Sequence, residues 1–242
     1  MTGALAGKRA VITGASSGIG RAIALQLAAQ GVDVWLVARR AGPLAEVAAE
    51  VERLGAKART QPLDISSEPD AQRLRDGLQT DADGLDILVH SAGVHFAGTV
   101  ADAPAAELDA QYQVNVRAPY VLTQLLLPLL RDRRGQVVFV NSSAGLRARG
   151  GVGGYTATKH ALRALADALR DEVNGDGVRV LSVYPGRTAT AQQAAIHAAE
   201  HKEYRPERLL QPEDVADVVV HALAVARTAE VTDISIRPMQ KA

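Results

Sequence analysis

Short apolar runs recur along the chain, each followed by a longer stretch whose apolar positions return every three or four residues. Lys8 to Thr13 reads as a first strand and Arg21 to Gln30 as a helix, closed by Gly31. Val32 to Val37 is a second strand, Leu44 to Leu54 a helix and Ala56 to Leu63 a third strand. Glu68 to Leu78 predicts a helix and Leu85 to Val89 a fourth, buried strand. Ala105 to Arg131 predicts one long helix bent where Pro119 and Pro128 interrupt it, and Gln136 to Asn141 a fifth strand. Tyr155 to Val173 is the next helix and Val178 to Val183 the sixth strand. Pro212 to Ala226 is a helix with proline in its first turn, and Val231 to Ile236 the seventh strand. Such alternation implies an α/β chain, a doubly wound parallel sheet of seven strands with helices on both faces. No repeat, charge block or low-complexity linker divides it, so residues 1–242 are expected to form one domain.

Composition narrows the chemistry. With 242 residues, 47% hydrophobic, the chain can bury the core of one large α/β domain. Lys+Arg 27 balances Asp+Glu 27, so no global field draws it to nucleic acid or an anionic membrane, and a small-molecule partner is expected. The absence of cysteine excludes disulfides, thiolate chemistry and Cys-based metal sites. No signal peptide and no apolar run near the ~20 residues of a bilayer span is visible, which makes a cytoplasmic protein the expectation.

Between the first strand and the first helix lies Thr13-Gly14-Ala15-Ser16-Ser17-Gly18-Ile19-Gly20. Its glycines let the backbone turn tightly and let a phosphate approach the helix N-terminus, where free N–H groups and the dipole favour an anion. The Gly-x-x-x-Gly-x-Gly spacing suits a dinucleotide pyrophosphate; the alternative is a plain glycine-rich turn. About 20 residues further on, where an acidic residue would accept bonds from the ribose of NAD, the second strand ends Val37-Ala38-Arg39-Arg40. A guanidinium there can hold a 2′-phosphate through paired charged bonds, so NADP(H) is the expected cofactor.

Tyr155 and Lys159 stand four residues apart on one helical face, after the flexible run Gly150 to Gly154. A nearby cation stabilises phenolate, and each unit of pKa shift corresponds to ~1.4 kcal/mol. Lysine is scarce among the 27 basic residues, which sets Lys159 apart from an ordinary surface charge. Ser142 in Asn141-Ser142-Ser143-Ala144-Gly145 follows the fifth strand, thirteen residues before Tyr155, at the carboxyl edge where open α/β sheets bind ligands. Asn115 lies inside the long helix despite its low helix propensity.

Taken together, the glycine turn, Ser91-Ala92-Gly93, Asn115, Ser142, Tyr155 with Lys159, and Pro185-Gly186 resemble the short-chain dehydrogenases/reductases over nearly the whole chain. The resemblance implies a Rossmann-type fold and makes Tyr155 a general acid/base, with Lys159 meeting the nicotinamide ribose and lowering the tyrosine pKa. It makes Ser142 the ligand of the substrate oxygen and Asn115 the holder of a relay water. Gly14, Ser16, Ser17, Gly18, Ile19, Gly20, Arg39, Arg40, Asp64, Ile65, Ser91, Ala92, Gly93, Pro185, Gly186, Thr188 and Thr190 would contact NADP(H), Asp64 at the adenine and Thr188 to Thr190 at the nicotinamide amide. It also implies a substrate lid at about 188–208 and a homodimer or homotetramer. The family commonly pairs its fifth and sixth helices, and Ala157, Ala161, Ala164, Leu165 and Ala168 offer a small-residue face for that, although such a stripe also reads as core. The sequence departs from the family at His90-Ser91-Ala92-Gly93, where Asn-Ala-Gly is usual and serine is expected to support the sheet less.

The implied reaction interconverts a carbonyl and a secondary alcohol, with reduction the expected cellular direction. Arg147, Arg149 and Arg187 suggest, as an alternative, a dehydrogenase of β-hydroxy acids or hydroxy amino acids. An NADP(H)-binding regulator without turnover is the alternative from another class. His95, Phe96, Leu146 and the lid would set substrate shape. His197-Ala198-Ala199-Glu200-His201 matches a zinc-protease pattern with both histidines on one helical face, but no convincing third ligand follows and the segment falls in the lid, so no metal is expected.

Overall fold

Alternate residues of a strand face opposite sides of a sheet, and in the central strands both sets are apolar. In the computed structural model, which describes residues 3–81 and 84–240, this makes two cores. Ala10, Ile12, Val34, Leu36, Val89 and Val138 pack on one face against α1 (Gly18–Ala29), α2 (Ala41–Arg53) and α8 (Pro212–Ala224). Val11, Trp35, Val37, Leu88, Val137 and Phe139 pack on the other against α3 (Glu68–Asp81), α5 (Ala118–Arg133) and α6 (Gly153–Val173). The strands are β1 (Arg9–Thr13), β2 (Asp33–Ala38), β3 (Ala58–Pro62), β4 (Ile87–His90), β5 (Gln136–Val140), β6 (Arg179–Pro185) and β7 (Asp233–Ile236). They run parallel in the order β3-β2-β1-β4-β5-β6-β7, the expected seven-stranded doubly wound sheet.

The order reverses between β1 and β4, which opens a crevice beyond their carboxyl ends. Thr13 ties the two sides together there, its Oγ1 accepting from the N–H groups of Ser91 at 3.1 Å and Ala92 at 3.2 Å. The backbone supplies this bracing whatever the side chain at position 91, so the departure from Asn-Ala-Gly leaves the β1–β4 junction bonded.

The long helix expected from Ala105 to Arg131 is in fact α4 (Ala105–Tyr112), a π turn (Gln113–Arg117) and α5. The interruption precedes Pro119 instead of falling on it, and Pro128 sits inside α5. Pro119 has no N–H for the Asn115 carbonyl, the partner an α-helix would give it, and widening the turn upstream accommodates that loss. The expected placement of Asn115 in regular helix is corrected accordingly.

The segment between β6 and α8 is pinned at its root. Thr188 bridges Leu210, with Ala189 N–H on the Leu210 carbonyl at 2.7 Å and Leu210 N–H on the Arg187 carbonyl at 3.1 Å. Between these points runs α7 (Ala191–Ala199), capped by Thr190 Oγ1, which accepts from Gln193 N–H at 3.1 Å. No helix among the described residues is long and apolar enough to cross a membrane.

Candidate active site

The crevice at the sheet reversal is a cleft of about 790 Å³. The glycine turn forms its floor. A Cβ on Gly14, whose φ is +67°, would lie 2.8 Å from the Ala92 nitrogen, and one on Gly20 would lie 2.4 Å from the Gly14 carbonyl oxygen. Only glycine allows so close a backbone crossing. Gly14, Ser16, Ser17, Gly18, Ile19, Gly20, Ser91, Ala92 and Gly93 all line the cleft.

At one end Arg39 and Arg40, both exposed, follow β2 and line the wall with Asp64 and Ile65. The Asp64 carboxylate is held by Ser66, whose N–H and hydroxyl both donate to Oδ1, at 2.9 and 2.7 Å. Pro185, Gly186, Thr188 and Thr190 line the wall at the end of β6. A Cβ on Gly18 would lie 3.1 Å from the Thr190 methyl, so the start of the α7 segment rests on the glycine turn.

At the other end stand Ser142, Tyr155 and Lys159. Asn141 brings their elements together. Its Nδ2 donates to the Lys159 carbonyl at 3.0 Å and its Oδ1 accepts from Ser142 N–H at 2.9 Å. Gly145 permits the same contact, since a Cβ there would meet Asn141 Oδ1 at 2.6 Å and the Lys159 carbonyl at 2.9 Å. The Ser142 hydroxyl accepts from Ala144 N–H at 3.1 Å, which leaves its proton free to donate into the cleft. Burial pushes the Tyr155 phenol above its ordinary pKa, and a hydrogen bond with Ser142 opposes that rise. Lys159 Nζ lies 5.8 Å from the Tyr155 ring centre and donates to the Val140 carbonyl at 3.3 Å. Burial pulls this ammonium down to about 8.

Asn115 is wholly buried behind the wall. Its Oδ1 accepts from Val94 N–H at 2.9 Å, and its Nδ2 donates to the Val94 carbonyl at 2.9 Å and to Thr158 Oγ1 at 3.1 Å. It therefore holds the Val94 strand-end loop against α6, with its side chain committed to protein groups.

Three neighbours escaped the sequence reading as site residues in their own right. Thr13 and Asn141 act by bridging elements distant in sequence, and a single threonine or asparagine at a strand end carries no such signal. His95, expected only as a shaper of the pocket, sets its ring edge-on to Tyr155 at 4.6 Å between centres. Burial lowers its pKa. The expectation that His197 and His201 share a helical face is overturned, because α7 ends at Ala199 and His201 adopts a left-handed φ of 52°. His197 is buried, its Nδ1 2.9 Å from the Gln193 carbonyl oxygen. No three His, Asp or Glu side chains among the described residues converge as a metal site.

A short chain dehydrogenase family profile matches residues 8–201. An uncharacterized oxidoreductase of Staphylococcus aureus (strain N315) is 32% identical over 236 residues, 97% of this chain and 99% of its own. Among solved structures, an alcohol dehydrogenase from the archaeon Thermococcus sibiricus, complexed with 5-hydroxy-NADP, superposes with TM-score 0.89 at 28% identity, covering 97% of this chain and 98% of that one. L-sorbose reductase from Gluconobacter frateurii, complexed with NADPH and L-sorbose, superposes with TM-score 0.87 at 26% identity, covering 98% and 97%. A parallel seven-stranded sheet with a glycine-floored cleft at its reversal point is the architecture of a dinucleotide-binding protein. This one belongs to the short chain dehydrogenase family, whose cofactor is NAD(P).

The cleft fits that cofactor. The glycine crossing clears space for a pyrophosphate at the N-terminus of α1, which is where anions are favoured. The buried Lys159 ammonium, with one carbonyl as its hydrogen-bond acceptor among the described residues, has donors left for a ribose.

Proposed function

We propose that the protein is an NADP(H)-dependent reductase of ketones or aldehydes. The observation that carries this reading is the joining of the Tyr155 phenol, the Ser142 hydroxyl and the buried Lys159 ammonium at one end of the cofactor cleft. Bound NADPH supplies the hydride. Ser142 donates to the carbonyl oxygen as charge builds on it, and Tyr155 delivers a proton to the same oxygen. Lys159 stabilises the phenolate left behind. Asn115 positions the Val94 loop, and its carbonyl, to which Pro119 has no N–H to donate, is the group offered to a relay water. The segment at about 188–208 closes over the bound substrate. Association into a homodimer or homotetramer through α5 and α6 is supported by the small-residue stripe, of which Ala157, Ala164 and Ala168 are exposed at the surface and not core.

Steady-state assays on a panel of ketones and aldehydes, following NADPH absorbance, test this directly. Tight NADPH binding with no oxidation on any substrate would instead mark a sensor.

NADP(H) preference rests on Arg39 and Arg40 at the end of β2, where the resemblance to NADP-bound relatives and the charge agree. A charged hydrogen bond to the 2′-phosphate is worth ~1.5–3 kcal/mol, so Arg39→Ala should weaken NADPH about 10-fold or more while NADH changes little. Titration of each cofactor into wild type and variant measures the ratio, and equal weakening of both would remove Arg39 from that role.

The pH dependence follows from the same site. Reduction needs the protonated phenol and the Lys159 ammonium; burial raises the phenol's pKa and pulls the ammonium down to about 8, so kcat/KM should be flat below about 8 and fall above it as Lys159 loses its charge. Oxidation needs phenolate and should climb with pH through neutrality. Parallel pH profiles in both directions check this, and an oxidation rate flat from neutrality upward would contradict a phenol base.

A further inference from the structure

We infer that the substrate carries an anionic group, a carboxylate or a phosphate, received by Arg147 and Arg149 at the mouth of the cleft. The inference rests on the reading of the site as a carbonyl reductase and names its substrate class.

The loop that bears these arginines is fixed at both ends. At its start, Gly145 N–H donates to the Ser142 carbonyl at 2.8 Å and Leu146 N–H to the Ser143 carbonyl at 3.2 Å. At its end, Gly98 N–H donates to the Gly151 carbonyl at 2.8 Å and Gly98 forms a β-bridge with Val152. A few residues thus run between Ser142 and the start of α6, and Arg147 and Arg149 line the same wall as Ser142, Tyr155 and His95.

The two guanidiniums are also uncommitted. Both are exposed, and among the described residues neither pairs with a carboxylate. Arg187, which the wall also contains, is spent differently: its Nη2 donates to both Glu200 oxygens at 3.2 and 3.0 Å, and its Nη1 lies 3.4 Å from His197. The acidic side chains of the wall are Asp64 and Glu200. Asp64 is held by Ser66 beside Ile65, and Glu200 is met by Lys202 at 2.7 Å as well as by Arg187. Positive charge therefore exceeds negative where substrate enters. The chain as a whole has formal net charge zero, so this excess is local. A planar guanidinium matches carboxylate and phosphate oxygens through paired bonds, whereas a neutral ketone offers it one weak acceptor. Val152 and Ile196 on the wall leave apolar surface for a short carbon chain between the reacting carbonyl and the anion.

The test compares matched pairs with NADPH: 2-, 3- and 4-oxo acids against their methyl esters, and dihydroxyacetone phosphate against dihydroxyacetone. In at least one pair the anionic member should be favoured about 10-fold or more in kcat/KM, chiefly through KM, as one charged hydrogen bond implies. The pair that shows it distinguishes carboxylate from phosphate. In the R147A/R149A double variant, and in wild type at raised salt, that preference should fall by a similar factor. Equal kcat/KM within every pair, or a preference that survives the double variant, overturns the inference while leaving carbonyl reduction standing. If no member of any pair oxidises NADPH, it is the reductase reading that fails, and calorimetry then decides the anion site alone. Titrating the oxo acids and dihydroxyacetone phosphate into protein loaded with NADP⁺ should show binding that the double variant weakens; binding equal in both proteins, or none, overturns the site.

Discussion

Tyr155→Phe is expected to lower turnover by at least the ~10²-fold typical of a lost general acid, while NADPH binding survives. The variant keeps the ring, so its edge contact with His95 at 4.6 Å and its position over the Lys159 ammonium are retained. It removes only the hydroxyl. That hydroxyl meets Ser142, and no other phenol lines the cleft among the described residues. Water cannot readily substitute, because a proton delivered without a positioned donor must come from a weak acid with no fixed geometry. The glycine crossing is built from close backbone approaches among Gly14, Gly20 and Ala92 and does not involve the phenol. Single-turnover measurement with saturating NADPH separates the chemical step from binding, and near-wild-type turnover on a good substrate would remove Tyr155 from the proton-transfer role.

The elements of this site announce themselves in the sequence to different degrees, for physical reasons. The sheet is legible because most strands are short apolar runs and most helices show a 3.6-residue period, whereas β3, Ala-Arg-Thr-Gln-Pro, is polar and is placed by its position in the alternation. The glycine turn is legible because its constraint is local: Gly14 must hold a positive φ, and Gly20 must carry no Cβ. Tyr155 and Lys159 are legible because four residues on a helix bring them to one face. Asn115 was visible as an oddity in a helix, but the π turn was not, since one inserted residue shifts apolar periodicity less than the usual uncertainty of a helix boundary. The commitments of its amide, to Val94 and Thr158, are set by tertiary contact. Thr13 and Asn141 belong to the same class, each joining elements through backbone groups that no spacing rule connects. The i, i+4 spacing of His197 and His201 misleads for the opposite reason: it places them on one face only in a continuous helix, and α7 stops at Ala199.

Ser142→Ala should reduce turnover ~10²–10³-fold, the usual loss when a donor aimed at a developing oxyanion is removed, and Ser143→Ala should be mild. The two hydroxyls are adjacent in sequence and differ in surroundings. Ser142 is half-buried in extended backbone, with φ −164° and ψ 155°, and caps the short 3₁₀ turn at Ser143–Gly145 by accepting from Ala144 N–H. Occupying the oxygen with that donor points the hydroxyl proton elsewhere, and the Tyr155 phenol is the group it meets. Ser143 begins the 3₁₀ turn and is exposed. The cap gives Ser142→Ala a second consequence, a stability loss of about 0.5–2 kcal/mol, so loss of turnover has to be measured on protein shown to be folded. Ser142→Thr keeps both the acceptor and the donor and should recover part of the rate, which a purely structural role for the cap would not explain without a matching recovery of stability. Matched single-turnover rates and urea midpoints for the three variants decide the assignment, and a ranking in which Ser143→Ala is the impaired protein would move the oxygen ligand one residue along the chain.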